Sequence, residues 1–223
     1  MFLFLLFCCA EEKVDTSEPE PSAVPEAYQA EILLVDAINS QVLSGVTVNG
    51  DLDDNIWTTD DNGMSTTQVS HDFRITAQQN GYPVHHFLGY TNADFSLRGV
   101  LTSWTITEQL YGLMDLSVDH NKGILVVTLE RPDLSPSVGA YAEIESDNAG
   151  AFVLGGVSVE VANTIPPNGS SVVTFPNVAP GLTTVTATGA NGQTCRAFPN
   201  GDSSTMNVEV LADQVSVAIF VCE

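Results

Sequence analysis

The sequence predicts an all-β fold: two β-sandwiches joined by one short α-helix. Three observations predict it. Strand-type residues (Val, Thr, Ser, Ile) dominate, in short runs that alternate apolar and polar. Glycine turns punctuate those runs, several of them Asn-Gly, a pair in which both residues tolerate positive φ. One order of runs and turns occurs twice, once in each half of the chain. With 223 residues, 43% of them apolar, the chain suffices for one large β domain or two small ones.

The first nine residues, MFLFLLFCC, form an apolar run ending in two cysteines. A run this short cannot span a bilayer, which needs roughly 20 apolar residues. Leu6-Phe7-Cys8-Cys9 resembles the lipobox of bacterial lipoproteins, in which Leu lies three positions before a cysteine and a small residue lies just before it. By that resemblance residues 1–9 are a signal and lipobox segment, Cys9 is the lipidated residue, and Cys8 fills the small-residue slot. The alternative is an ordinary signal peptide cut nearby.

Residues 10–28 are expected to form a disordered acidic tether. The stretch EEKVDTSEPEPSAVPEA (11–27) holds six acids, one lysine and three prolines. It lacks the apolar surface that would order it, and like-charge repulsion keeps it extended.

The first sandwich is expected over residues 29–100. It reads AEILLVD (30–36), SGVTVNG (44–50), TTDDNGMSTTQV (58–69) and FRITAQQNGY (73–82), each an alternating strand with its turn. The second, over 122–223, repeats that order as KGILVVTLE (122–130), SVGAYAEIE (137–145), IPPNGSSVVTFPNVAPG (165–181) and TTVTATGANGQ (183–193). The intervening segment, 101–121, predicts the helix. Thr105 and Glu108 have capping-box spacing, and Ile106, Leu110, Leu113 and Met114 fall on one helical face.

The order of these segments resembles the carboxypeptidase regulatory-like domain, a transthyretin-like or prealbumin-like (Ig-like) β-sandwich. Gly45, Val46, Val48, Thr59, Asp60, Gly63 and Gly81-Tyr82 carry the resemblance in the first half. Gly139, Gly169, Phe175 and Pro180-Gly181 carry it in the second. The resemblance implies an accessory module with no conventional active site.

Cys195 and Cys222 are the remaining cysteines, and in an oxidising compartment an isolated pair is expected to form a disulfide. No further ligand lies near them to complete a zinc site. The four histidines, His71, His85, His86 and His120, form no His-x-His or HExxH pattern. His85 and His86 adjoin on a predicted strand and so point to opposite faces; solvent-facing side chains with ordinary neighbours are expected. Asp51, Asp53, Asp54, Asp60 and Asp61 crowd one loop and a turn. An EF-hand template centred on Gly63 fails, because Thr58 and Val69 stand where Asp and Glu are required. A loop-built calcium site from Asp51, Asp53 and Asp54 is an alternative to the expectation that these acids cap turns. No cofactor is expected.

Acidic residues number 28 against 6 basic ones, for a formal charge of −22. Such a surface repels phosphate backbones, so no nucleic-acid partner is expected. The chain has no G-x-S-x-G and no Ser-x-x-Lys. Trp57, Trp104, Tyr82, Tyr90, Phe87 and Phe95 are candidates to fill the cores or to line a protein- or carbohydrate-binding groove. The resulting expectation is a non-enzymatic cell-envelope lipoprotein. It is held by its N-terminal lipid at the outer membrane or cell surface, or secreted, and acts as a binding or structural module. The alternative is a secreted hydrolase or its accessory, with calcium dependence as one form of it.

Overall fold

The computed structural model describes residues 26–155 and 158–223. The lipid site at Cys9, the 1–9 segment and the tether through residue 25 lie outside the described residues.

The first half runs β1 (Tyr28–Asp36), β2 (Thr47–Gly50), β3 (Trp57–Thr58), β4 (Met64–Val69), β5 (Asp72–Gln78), β6 (Val84–Tyr90) and β7 (Phe95–Leu101). Helix α1 (Trp104–Leu113) follows. The second half runs β8 (Gly123–Glu130), β9 (Tyr141–Ile144), β10 (Phe152–Gly155), β11 (Ser158–Val161), β12 (Gly169–Val178), β13 (Gly181–Thr188), β14 (Cys195–Ala197), β15 (Thr205–Val210) and β16 (Gln214–Cys222). The protein is an all-β sandwich fold. β1 starts at Tyr28, inside the range expected for the tether.

The two halves repeat one another pair by pair. β1 is antiparallel to β4 and parallel to β7, and β8 is antiparallel to β12 and parallel to β16. β2, β5 and β6 form an antiparallel ladder, as do β9, β13 and β15. The turns agree as well. Gly45 and Gly139 have φ +74° and +83°. The Gly45 N–H donates to the Thr59 carbonyl, and the Gly139 N–H to that of Ile165.

The halves are fused through a shared sheet. β6 pairs parallel with β16, joining β3-β2-β5-β6 to β16-β8-β12-β10-β11 in one ten-stranded sheet that also includes β14. Two three-stranded sheets, β4-β1-β7 and β15-β13-β9, cover it. They lie on opposite faces, as the alternation along β16 shows. Val215, Val217 and Ile219 enter the first core with Ile32, Phe73 and Phe87. Ala218, Phe220 and Cys222 enter the second with Leu125, Val173 and Val185. A strand buried on both faces has no polar side, which is why the VAIFVC end of β16 is apolar throughout, unlike the alternating β5 (DFRITAQ).

One turn changes layers, and the reading of the helix cap is corrected. The Asn62-Gly63 turn forms, with Gly63 at φ +73°, but it does not close a hairpin. β3 belongs to the shared sheet and β4 to the covering sheet, so the chain crosses between layers there. A Cβ at position 63 would lie 2.9 Å from the Leu34 carbonyl oxygen, so glycine is required by space as well as by φ. In the helix, Ser103 is the N-cap, its side chain accepting from the Ile106 N–H; Thr105 is not. The helix buries Thr107 and Tyr111 and leaves Leu113 71% exposed, so its packed face is rotated from the expected stripe. The Tyr111 hydroxyl accepts from the Asn177 N–H, which fastens the helix to β12.

Candidate functional site

The histidines are structural. His85 and His86 are buried, 1% and 7% exposed, which corrects the expected solvent-facing placement. The reason is β6, which lies between the two cores. The two rings do point to opposite sides. His85 Nδ1 meets the Pro83 carbonyl at 2.9 Å, and the Thr102 N–H donates to its Nε2 at 3.2 Å. His86 lies between Thr76 and Gln214. Burial pushes the His85 pKa down to about 4 and lowers that of His86. His71 bonds the Thr91 carbonyl. His120 pairs with Asp213 at 2.6 Å, and that hydrogen bond raises its pKa.

The acids of the 51–61 region serve turns. Asp51 accepts from the Ser70 N–H and hydroxyl. Asp60 accepts from the N–H groups of Asn62 and Met64. Asp61 accepts from Ser44. Asp53 holds its whole loop. It accepts from the Trp57 Nε1–H at 2.6 Å, from the Asn55 N–H and side-chain amide at 3.0 and 3.1 Å, and from the Thr67 hydroxyl at 3.4 Å. The Trp57 bond is the first cause of its lowered pKa, and the Gln68 N–H contributes further. Asp51, Asp53 and Asp54 do not converge; among the described residues no group of three His, Cys, Asp or Glu side chains could hold a metal ion.

The aromatic candidates separate. Phe87 fills the first core, where Tyr82 and Phe95 also pack, and Tyr90 packs on the second. Trp104 lies against His120. Trp57 is different: it is 45% exposed and opens on a groove of about 490 Å³. The groove follows the seam between the edge strands β3 and β4. Its lining includes Gln29, Asn55, Thr58, Ser65, Thr66 and Gln68. Pairing with Val48, which is buried in the first core, directs the Trp57 ring toward this seam. Asp53 fixes the indole edge, so one aromatic face is presented in a set orientation. The signal in the sequence is Asp53-x-x-x-Trp57, in which an acid can bond a tryptophan four residues on.

A second groove, about 570 Å³, opens beside β9 in the second half. Glu143, Glu145 and Asn148 line it together with Ile144, Val161 and Ala162. It is acidic and carries no exposed aromatic ring.

Cys195 and Cys222 form a disulfide, as expected. They lie directly opposite one another on β14 and β16, and both are buried. Among the described residues no helix is long and apolar enough to cross a membrane.

No family model and no curated protein matches the chain. Similar solved structures include the Bacillus anthracis TIE protein (16% identity, TM-score 0.27, covering 88% of this chain and 34% of that one). A streptococcal ancillary pilin is 11% identical with TM-score 0.29, over 88% of this chain and 62% of that one. The minor pilin GBS52 of Streptococcus agalactiae is 11% identical with TM-score 0.31, over 87% and 95%. The chain thus spans a third of the first protein's length and under two thirds of the second's.

Proposed function

We propose that the chain is a non-enzymatic binding module held at the cell surface. Cys9 carries the lipid, residues 10–28 are the tether, and the sandwiches of 29–100 and 122–223, joined through 101–121, are the displayed body. The observation that carries this reading is the Trp57 groove: an oriented, half-exposed indole in a polar cleft on an otherwise well-packed sandwich. The titratable side chains around it support binding over catalysis, because Asp53 and Asp51 are committed to local hydrogen bonds and His85 and His86 to the core. The lipobox-like Leu6-Phe7-Cys8-Cys9 and the resemblance to carboxypeptidase regulatory-like modules support export and display.

Intact-mass analysis of protein extracted from its native envelope tests the anchor. The expected result is a diacylglyceryl-type mass addition at Cys9, and release of Cys9→Ser into the soluble fraction. An unmodified chain in the cytosol with free thiols at Cys195 and Cys222 would overturn the reading.

A further inference from the structure

We propose that the Trp57 groove binds a neutral saccharide, with the sugar ring stacked on the Trp57 indole. The inference rests on the binding-module reading and names its ligand class.

The chemistry of the lining selects the class. A sugar ring presents an apolar C–H face flanked by hydroxyls that both donate and accept. Trp57 supplies a flat apolar surface held by Asp53 at 2.6 Å, so little ordering is needed on binding. Gln29, Asn55, Thr58, Ser65, Thr66 and Gln68 supply amide and hydroxyl groups that, like sugar hydroxyls, donate and accept. Among the described residues no basic side chain lines the groove. An anionic ligand would therefore meet a molecule of formal charge −22 with no local cation to hold it.

Two other occupants fit less well. A cationic ligand needs a carboxylate with free acceptor capacity, and Asp53, the one acid in the lining among the described residues, already takes hydrogen bonds from Trp57, Asn55 and Thr67. A peptide adding as a strand needs a run of unpaired backbone groups. β3 is two residues long, and at the two ends of β4 the Met64 and Ser70 N–H groups are already taken by the Asp60 and Asp51 carboxylates. The acidic groove beside β9 has the opposite character and provides an internal comparison.

The test uses the full chain carrying Trp104→Phe, so that fluorescence reports Trp57 alone. The probes are cellotriose, maltotriose, mannotriose and chitotriose, with a galacturonic acid trimer and a Lys-rich peptide as charged controls. At least one neutral trisaccharide is expected to shift the emission with Kd of about 1 mM, and Trp57→Ala, which removes the reporter and is therefore read by amide shift titration in both proteins, to weaken binding by at least about tenfold. Asp53→Asn is expected to weaken binding as well, by releasing the indole. Melting curves of each variant check folding. Amide shift mapping on the unaltered protein, expected to centre on Asn55, Thr66 and Gln68, locates the site without any variant. No response from all four sugars at about 10 mM overturns the proposal. So does binding that survives Trp57→Ala, shifts that centre on the β9 groove, or equal binding of the galacturonic trimer. None of these outcomes touches the lipid anchor, which the mass measurement reads separately.

Discussion

At the scale of single residues, His85 shows how a hydrogen-bond pattern fixes a protonation state. Its Nδ1 has only an acceptor opposite, the Pro83 carbonyl, and so carries the proton. Its Nε2 faces the Thr102 N–H and so must be the bare acceptor. Charging the ring would place two donors against each other inside the core, and burial, the largest cause, has already lowered the pKa to about 4. The unfolded chain takes up this proton near pH 6.5, the folded chain only near 4. The stabilisation is therefore complete above pH 6.5 and is lost as pH falls toward 4. It amounts to roughly 3 kcal/mol in all, about 2 of it gone by pH 5. His86, also lowered by burial, adds in the same direction. His120, raised by its hydrogen bond to Asp213, and Glu130, raised by burial, act in the opposite one, the former from an exposed site and the latter only near the carboxylate range. Asp53 and Asp60 have lowered pKa values and keep their charge through this interval. Urea unfolding at pH 7.5, 6 and 5 is expected to show the midpoint falling throughout. The His85 ring resonances should stay neutral down to about pH 4, while those of His120, raised by Asp213, titrate above the ordinary histidine value. A midpoint flat between pH 7.5 and 5 would contradict the assignment.

At the scale of elements, the informative strand is β16. Its even positions face one core and its odd positions the other, so single substitutions on it should act in different halves. Val217→Ala is expected to cost about 1–2 kcal/mol and to loosen β1 and β5, far away in sequence, whereas Phe220→Ala should cost about 3–5 kcal/mol and loosen β8 and β12. Hydrogen exchange resolved by segment checks both; identical exchange patterns in the two variants would refute the two-faced placement. The helix offers a smaller test. Ser103→Ala is expected to cost about 1 kcal/mol, and the exposed Thr105→Ala close to nothing, in thermal melts. These elements also show what could be read from the chain. Strand positions with one buried face, such as Phe73, Ile75 and Ala77 on β5, are plain from period-two patterning, and so are the Gly45 and Gly63 turns. The buried histidines and the true helix face were not legible, because each depends on a neighbour supplied by the other half. The unbroken apolar run of 217–222 was the available sign of double burial. For the site, Trp57 stood among six aromatic candidates, and only the seam between β3 and β4 sets it apart.

At the scale of the whole molecule, the shared sheet decides how the halves unfold. Two modules on a flexible linker would melt independently. Here β6 and β16 pair directly, Phe198 bridges them by accepting from the Tyr90 N–H and donating to the Ile219 carbonyl, and Arg74 of β5 pairs with Glu209 of β15. Separation would bare the apolar side chains of β16 that face the first core, and at about 25 cal/mol per Å² that exposure outweighs the half-exposed Arg74–Glu209 pair, which is worth at most about 1 kcal/mol. The protein is therefore expected to unfold in one transition, with tryptophan fluorescence, which reports the first half and the helix, superimposing on far-ultraviolet circular dichroism, which is dominated by both. The Cys195–Cys222 disulfide sharpens the prediction. It closes a 27-residue separation entirely within the second half and should contribute roughly 3–4 kcal/mol through the unfolded chain. If the halves were independent, the double variant Cys195→Ala, Cys222→Ala would lower only the dichroism midpoint and leave the Trp57 and Trp104 signal in place. With the sheet shared, both signals should move down together, and a fluorescence midpoint unaffected by the double variant would show that β6–β16 pairing does not couple the two sandwiches.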